Sequence, residues 1–484
     1  MRVAAFKAFV TVTAALSVAA TAFGAVRSTS EYKPDEIIVK YKSNVRRSRL
    51  AMEGIYLTVN VVKVKRFGSQ MRQFEQLILE EGTDLNNAIA ALEKDPSVEY
   101  AQPNYILKAL PVEVAQEAKP APAGIPCIPG MDIPGCDPKA CLFPNFPPGC
   151  KDSGGGQPPG EDPKPPGGGG RPPVADKPAD PAPGADPDLD KAWGIAKIHA
   201  PEAWKVTPGS QSMVVAVIDT GIDYNHDELS FNVWRNPAPD AKLNDVVGFD
   251  FIHNDGLPFD DHAHGTHCSG VIGAVGNNGK GISGVNQRVS IMGLKFLSAE
   301  GSGDTAGAIK AIDYAVTHGA KVLSNSWGGK GDDDNKGLRD AIQRAEDKDV
   351  LFIAAAGNDG TNNDTDQTFP ASLNAPNMIS VAALDSNDGL AYFSNTGAKS
   401  VQVGAPGVDV YSTTPGNKYQ KMSGTSMACP HVAGAAALLW SAHPQWTHKE
   451  VKARLMESVD KLPSLEGKTV TGGRINVAKA LGAL

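Results

Sequence analysis

Residues 260–270 read DDHAHGTHCSG, which places three histidines, a cysteine and two aspartates in one short stretch. Side chains of these types bind metals or transfer protons. A zinc-protease helix would read H-E-x-x-H, with two histidines four residues apart and a glutamate as base. Here His264 and His267 are three residues apart with no glutamate between them, and adjacent helical residues point about 100° apart. The spacing favours a single catalytic histidine over a zinc site that would combine His262, His264, His267 and Cys268.

Two other segments carry the groups that such a histidine needs. Asp219 ends an apolar run in VAVIDTGID. A lone D-T-G does not fit an aspartic protease, in which two carboxylates share a proton. Ser426, in MSGTSMACPHVAG, opens an apolar helical pattern. Backbone N–H groups and the helix dipole at such a start stabilise an oxyanion, although Thr425 and Ser426 also fit an ordinary capped core helix.

A fourth polar residue, Asn358, follows the buried-strand pattern of FIAAAGNDG. Its amide could donate to a developing oxyanion, with the backbone N–H of Ser426 as the second donor. The alternative is an exposed loop asparagine.

These residues need a scaffold, and the chain after about residue 189 supplies one. Short apolar runs, such as MVVAVID, VSIMGLK, VLFIAAAGN and MISVAAL, alternate there with helical patterns. This alternation predicts a doubly wound α/β fold with a mostly parallel sheet buried on both faces. In such folds the active site lies beyond the carboxyl ends of the strands. We expect this domain to span residues 189–484.

The preceding sequence has three parts. Residues 1–24 combine Arg2 and Lys7 with an apolar run and small residues, which predicts a signal peptide and a secreted protein, either released or retained in a periplasm. Residues 32–109 show strand and helix patterns that predict a small α+β domain. No later segment has the roughly 18 unbroken apolar residues of a membrane span.

Residues 111–188 are predicted to be a linker, because 20 of the 35 positions from 154 to 188 are Gly or Pro. In an exported chain its four cysteines are expected to form two disulfides, with three pairings open. A zinc knuckle is the alternative, although the spacing is unlike common zinc sites. These cysteines are Cys127, Cys136, Cys141 and Cys150.

Composition limits the function classes. The net charge is −8 and no basic block occurs, so a general nucleic-acid binder is not expected. Composition predicts no extra binding domain after the α/β domain. We expect neither a membrane nor a nucleic acid as partner.

The order Asp219, His264, Asn358, Ser426, within VIDTGID, HGTHCSG, AAAGN and GTSMACPHVAG, resembles the subtilisin family (subtilases) of serine proteases. The cysteines inside these motifs, Cys268 and Cys429, are similar to those of the branch near thermitase and proteinase K. The resemblance implies that Ser426 attacks the peptide carbonyl, His264 transfers the proton, Asp219 orients the imidazole and Asn358 holds the oxyanion. It also implies a secreted, monomeric endopeptidase that acts on polypeptides and is made as a self-processed zymogen.

The resemblance extends to substrate binding. SAEGSGD and NSWGG are similar to the two edges between which an extended substrate lies. Their main-chain groups would bind the substrate as an added strand. The residues implied are Gly301, Ser302, Gly303, Ser326, Trp327 and Gly328.

Residues 32–109 resemble the inhibitor-like propeptide of secreted subtilases, on PDEIIVKYK and ALEKDPSVEYAQPNYIL. Its tail would lie in the cleft until cut, and a cut near residues 107–110 would leave the linker on the mature enzyme. Cys268 and Cys429 are expected to be buried free thiols.

Structural calcium is also implied by the resemblance, with no catalytic cofactor. The expected ligands are oxygen-bearing side chains of three loops, namely Glu228, Asn278, Asp250 and Asp255. Two rival functions remain open at this point. One is a catalytically silent binding module with this fold, and the other is a metallohydrolase built on the histidine cluster.

Overall fold

The computed structural model describes residues 31–43, 49–68, 71–114, 171–330 and 335–484. The predicted signal peptide and the four linker cysteines lie outside these ranges. Across the described part of the chain, no helix has both the length and the apolar character needed to cross a bilayer.

The N-terminal unit is a four-stranded antiparallel sheet, in the order β2-β3-β1-β4, with two helices. A buried apolar cluster that includes Ile37, Leu77 and Leu92 lies between sheet and helices. Asp84 caps α2 by accepting a hydrogen bond from the N–H of Asn87. The unit is therefore the small α+β domain that the sequence predicts. Its elements are β1 (Tyr32–Tyr41), α1 (Arg49–Thr58), β2 (Val61–Arg66), β3 (Phe74–Leu79), α2 (Leu85–Glu93) and β4 (Val98–Ala109).

The second unit is built on a nine-stranded sheet in the order β18-β19-β15-β14-β12-β10-β6-β8-β7. All neighbours pair in parallel except β18 and β19. The central strands are continuously apolar because helices cover both faces. The strands are β6 (Gly209–Asp219), β7 (Gly248–Asp250), β8 (Arg288–Lys295), β10 (Val322–Asn325), β12 (Leu351–Ala355), β14 (Met378–Leu384), β15 (Val403–Pro406), β18 (Asp460–Lys461) and β19 (Gly473–Arg474).

Helix α8 lies at the centre of this unit and is buried from residue 425 to residue 440. It packs against β6, β14 and α5. A helix that is apolar on all sides in this way is a core helix. The helices are α3 (Trp193–Lys197), α4 (Ala200–Ala203), α5 (His264–Gly273), α6 (Thr305–Thr317), α7 (Lys336–Glu346), α8 (Thr425–Ala442), α9 (His448–Glu457) and α10 (Val477–Leu481).

The two units are joined by shared strands. The end of β4 lies antiparallel between β9 (Ser302–Asp304) and β11 (Trp327–Lys330), and β11 also pairs with β13 (Thr368–Phe369). A second small sheet is formed by β16 (Val410–Thr414), β17 (Lys418–Ser423) and β5 (Glu113–Val114). The chain that leaves the small domain therefore crosses the large one in an extended conformation.

Residues 171–188, which we call the strap, lie on the surface of the large unit. The strap contains no strand or helix, but it is held by specific contacts, which include a bridge between Gly184 and Asn278. The hydroxyl of Tyr224 donates to the carbonyl oxygen of Pro172 at 2.6 Å, and the N–H of Gly279 donates to that of Gly184 at 2.8 Å. These contacts join the strap, which is predicted from the sequence as part of the linker, to the α/β unit.

Candidate active site

The side chains of Asp219 and His264 meet at the carboxyl end of β6. Asp219 is the last residue of β6 and His264 is the first residue of α5. Nδ1 of His264 lies 2.7 Å from Oδ1 of Asp219, and both side chains are about 1% exposed. The preceding residue, Ala263, has a left-handed φ of 84°, a strained conformation that fixes the direction in which the helix starts.

Electrostatics favour a proton on this histidine. Burial opposes the charged ring, but the neighbouring Asp219 carboxylate outweighs burial and raises the pKa of His264 above its ordinary value. The second ring nitrogen, Nε2, has no hydrogen-bond partner among the residues that the structure describes. Asp219 therefore orients the ring through Nδ1, whereas Nε2 is without a partner among the described residues.

A second buried carboxylate, Asp260, binds the start of α5 and is not among the site residues predicted from the sequence. It accepts hydrogen bonds from the backbone N–H groups of His262, Ala263 and Thr266 and from the hydroxyl groups of Thr220 and Thr266. Burial opposes its ionisation, yet these donors keep the pKa of Asp260 below its ordinary value. Asp260 lies three residues before Ala263, the N-cap of α5, so the usual capping position in the sequence does not identify it.

Ser426 lies in the first turn of α8 and is fully buried. Its hydroxyl donates to the carbonyl oxygen of Ser326 at 3.2 Å. The same oxygen accepts a hydrogen bond from the N–H of Leu110 at 3.4 Å. The hydroxyl must therefore turn away from Ser326 before it can donate to Nε2 of His264. Catalytic hydrogen bonds often form only along the reaction path, so this arrangement does not exclude the pair.

Asn358 lies just beyond β12, and its amide faces the same segment. Its Nδ2 donates to the carbonyl oxygen of Pro111 at 2.6 Å. Its Oδ1 accepts hydrogen bonds from the N–H and the hydroxyl of Thr425, at 2.9 and 2.7 Å. Thr425 therefore fixes the orientation of the amide so that the N–H points at a peptide carbonyl.

All six residues expected at the substrate edges contact the tail of the small domain. On β9, Leu107 lies opposite Gly303 and Lys108 opposite Ser302, while the N–H of Ala109 donates to Gly301 at 2.8 Å. On the other side, Trp327 lies opposite Ala109 and Gly328 opposite Lys108. The third residue of that edge, Ser326, accepts from Leu110 as described above. The tail thus forms the middle strand of three.

The side chain of Trp327 does not project into open space. Its ring is fully buried and lies edge-on to Phe296, with ring centres 4.9 Å apart. Leu107 belongs to the same buried apolar cluster. Trp327 therefore contributes its backbone to the cleft edge and its ring to the core.

The remaining histidines of the opening motif do not converge on a metal. Nε2 of His267 faces the carbonyl oxygens of Val410 and Gln420, and burial lowers the pKa of His267 to about 3. Burial likewise lowers the pKa of His262. Within the described ranges, the one group of metal-ligand type is Asp219, His264 and Cys268, which contains the Asp–His pair itself.

Cys268 and Cys429 are both free and buried, as expected. The thiol of Cys268 donates to the carbonyl oxygen of Ser426 at 3.4 Å. Burial raises the pKa of Cys268 well above its ordinary value and that of Cys429 to about 11. Both remain protonated at neutral pH and are poor nucleophiles.

The four expected calcium ligands fall into two groups with different surroundings. In the first group, Glu228 is fully buried, and neither of its carboxylate oxygens makes a hydrogen bond of normal geometry within the described residues, although the side chain of Asn278 and the backbone of Ile282 approach it. Burial raises the pKa of Glu228 to about 7. Asp186 of the strap accepts from the N–H groups of Asn277 and Asn278 nearby. An unpaired buried carboxylate beside a second carboxylate and an amide fits a hard cation.

The second group, Asp250 and Asp255, is already paired with a cation of the chain itself. The guanidinium group of Arg171 contacts Oδ2 of both aspartates, at 2.7 Å from that of Asp250, and also the carbonyl oxygen of Leu257. The ring of His253 adds a further contact to Asp250 at 2.8 Å. These carboxylates do not fit a calcium site, because a guanidinium group satisfies them.

Two family models match this chain. Residues 210–476 match the Subtilase family, Peptidase_S8. Residues 20–104 match the Fervidolysin N-terminal prodomain. The two matches correspond to the large and the small unit of the fold.

Individual relatives align over the same region. Thermitase of Thermoactinomyces vulgaris is 39% identical over 291 residues, which cover 60% of this chain and 96% of thermitase. The thermophilic serine proteinase of Bacillus sp. strain AK1 is 41% identical, over 60% of this chain and 66% of that protein. Subtilisin E of Bacillus subtilis strain 168 is 37% identical, over 54% and 64% of the two chains. The chain thus belongs to the subtilase family and is a serine endopeptidase with an N-terminal prodomain.

Proposed function

We propose that Ser426 is the nucleophile of this endopeptidase, with His264 as general base and Asp219 as the group that orients it. The observation that carries the proposal is that the Ser326 carbonyl oxygen accepts hydrogen bonds from both the Ser426 hydroxyl and the backbone of Leu110. A peptide chain thus lies within reach of this hydroxyl. The buried Asp219–His264 pair would accept the proton of the Ser426 hydroxyl.

The reaction follows from these groups. Rotation of the Ser426 side chain brings its Oγ to Nε2 of His264, which takes the proton as Oγ attacks the peptide carbonyl carbon. The Asp219 carboxylate stabilises the resulting imidazolium, consistent with the raised pKa of His264. The amide of Asn358 donates to the oxyanion, and His264 then returns the proton to the leaving nitrogen. Water hydrolyses the acyl-enzyme by the same steps in reverse.

Substrates are proposed to bind as the prodomain tail does. An extended polypeptide would add a strand between β9 and β11, through the backbones of Gly301, Ser302 and Gly303 on one side and Ser326, Trp327 and Gly328 on the other. We propose that the prodomain inhibits the enzyme by filling this cleft. We also propose that the protein is secreted, either released or retained in the periplasm, and that it acts as a monomer.

Calcium is proposed at Glu228, Asn278 and Asp186. The reason is electrostatic, since a buried carboxylate without a partner destabilises the fold unless a cation neutralises it. The ion would stabilise the loop after α5 and fasten the strap to it. It would have no part in the chemical step.

A serine-reactive fluorophosphonate probe tests the assignment, because it labels an activated serine. We expect labelling of Ser426 that is lost in S426A and greatly reduced in H264A, and that persists when chelator is added briefly. A silent binding module would not be labelled. Proteolysis that stops in the presence of chelator while Ser426 labelling is absent would support the metallohydrolase instead.

A further inference from the structure

Where the chain passes Ser426, a short gap in strand pairing separates two hydrogen-bonded segments. Before the gap, β4 pairs with β9 and β11 as far as Ala109, and Leu110 donates to Ser326. After the gap, β5 pairs with β17, with Glu113 opposite Ser423 and Val114 opposite Met422. Only Pro111 and Val112 lie between the two held segments. The peptide bond in the middle of the gap is therefore Pro111–Val112.

The proposed oxyanion donor selects the same bond. Nδ2 of Asn358 lies 2.6 Å from the carbonyl oxygen of Pro111. An oxyanion hole acts on the carbonyl that is attacked, because negative charge develops on that oxygen. The carbonyl in position is that of Pro111 rather than that of Leu110.

Space at the start of α8 fits this bond as well. A Cβ on Gly424 would lie 3.1 Å from Nδ2 of Asn358, 3.3 Å from Cγ1 of Val112 and 3.6 Å from the carbonyl oxygen of Pro111. Glycine thus leaves room for the amide, for the carbonyl and for the side chain that follows it. The residues on both sides of the Pro111–Val112 bond are in contact distance of the site.

The neighbouring bonds fit less well. Lys108 is paired with both β9 and β11, Leu107 with β9 and Ala109 with β11, so the backbone of all three residues is already engaged. Cleavage of Leu110–Pro111 would require His264 to protonate a proline ring nitrogen, which is a crowded leaving group without an N–H. It would also require Asn358 to move to a different carbonyl. Cleavage of Pro111–Val112 releases an ordinary primary amine.

We propose that this protein cuts its own chain between Pro111 and Val112, so that the mature enzyme begins at Val112 and keeps residues 112–188. The proposal rests on the function proposed above. It places the junction one residue beyond the 107–110 region predicted from the sequence. The retained segment is held at both ends, by β5 on β17 and by the strap on the α/β unit.

The step balances as an acyl transfer. The Oγ–C bond forms to the carbonyl carbon of Pro111 and the C–N bond to Val112 breaks, with the Ser426 proton carried by His264 to the Val112 nitrogen. Water then cleaves the ester, which leaves a carboxylate on Pro111 and restores the hydroxyl of Ser426. No other reactant is needed.

The test is the identity of both new termini after expression of the full chain. Intact mass and N-terminal sequencing should give a prodomain fragment that ends at Pro111 and an enzyme that begins at Val112. The fragment's carboxyl terminus reports the first cut even if the enzyme's linker is trimmed later. A Ser426-dependent cut at another bond would overturn this inference and leave the proposed function intact. Equal processing of the wild type and S426A would overturn the proposed function itself.

Two substitutions at one position sharpen the test. In V112P the leaving nitrogen becomes a proline nitrogen, so we expect processing to slow at least roughly tenfold. The matched control V112A keeps a primary amine and should be processed at nearly the wild-type rate. Thermal unfolding of both variants in the S426A background checks that the precursor folds. Wild-type processing of V112P would contradict the proposed junction, because a cut at this bond would then have to release a proline nitrogen.

Discussion

Asn358 and Thr425 form a two-point contact in which the Asn358 Oδ1 accepts from both the N–H and the hydroxyl of Thr425, at 2.9 and 2.7 Å. This contact orients the side-chain amide of Asn358 so that its Nδ2 donates to the carbonyl oxygen of Pro111. The donor is therefore oriented before substrate arrives. Such preorganisation is what gives an oxyanion hole its catalytic effect.

Replacement of Asn358 by Ala should lower kcat by roughly 10²–10³-fold, the loss that removal of this kind of donor produces in subtilisin. KM should change little, because the interaction is made mainly in the transition state. T425V keeps the backbone donor to Asn358 and loses only the hydroxyl, so its loss should be smaller. Steady-state kinetics on a peptide substrate measure both. Equal losses in the two variants would contradict the orienting role of the backbone contact.

Gly424→Ala should slow self-cleavage roughly 10- to 100-fold without unfolding the protein. The added methyl group would lie 3.1 Å from Nδ2 of Asn358 and 3.3 Å from Val112, so the amide or the bound chain must shift, and small displacements of reacting groups are costly. The rate of prodomain release, followed by gel, gives the effect. The control is G54A, where a Cβ meets nothing within 4 Å, and it should be processed normally.

The ion pair between Lys33 of the prodomain and Asp304 of the α/β unit should make the stability of the precursor depend on pH. Burial opposes ionisation of Asp304, but Lys33 outweighs it and keeps the pKa of Asp304 below its ordinary value of 3.8. A lowered pKa in the folded state stabilises the fold above pH 3.8, and this contribution is lost as the pH falls through the lowered pKa. In the S426A precursor, D304N should cost about 1 kcal/mol at pH 7, since solvent screens the partly exposed Lys33.

The destabilisation caused by D304N should shrink as the pH falls below 3.8. Asparagine keeps the acceptor that caps α6 through the N–H of Gly307, so the comparison isolates the charge. Thermal unfolding from pH 7 to pH 3 measures it, and K33M should show the same dependence. A cost of D304N that is constant over this pH range would contradict the ion-pair explanation.

Calcium should raise the Tm of the S426A protein, and E228Q should abolish that rise. The expected stabilisation is about 2.7 kcal/mol at a calcium concentration of 100 times Kd. In the presence of chelator, E228Q should unfold at a higher temperature than its parent, because glutamine removes a buried charge that no cation then neutralises. D255N is the control, since Asp255 pairs with Arg171. If D255N lost the calcium response and E228Q kept it, the site would lie at the other group.

Arg171→Met should destabilise the α/β unit by about 3 kcal/mol, because it leaves the fully buried Asp250 without its guanidinium partner. Lys177 of the same strap makes a partly solvated contact to Gln211, so K177M should cost under about 1 kcal/mol. Denaturant unfolding of both variants in the S426A background compares them. If R171M destabilised the protein as little as K177M does, contacts other than those of Arg171 would fix the strap to the α/β unit.

The residues proposed to carry the chemistry could be picked out of the sequence because they lie in short local motifs. The run VAVID predicts a buried strand that ends in Asp219, and GTSMACPHVAG predicts a helix that starts beside Ser426. Both predictions depend on neighbours within a few residues, where periodicity and capping are informative. The small α+β domain and the parallel sheet were predicted on the same basis.

The tertiary structure decided the relationships between distant parts of the chain. The sequence contains Asp250 and Asp255 as hard oxygen ligands, but their partner Arg171 lies about eighty residues away in a Pro/Gly-rich stretch without periodicity. In the same way, only the fold shows that Asp186 approaches Asn278 and that the Pro111 carbonyl meets Asn358. Local pattern fixes which face or end of an element a residue occupies, whereas contacts across long loops depend on how the whole chain packs.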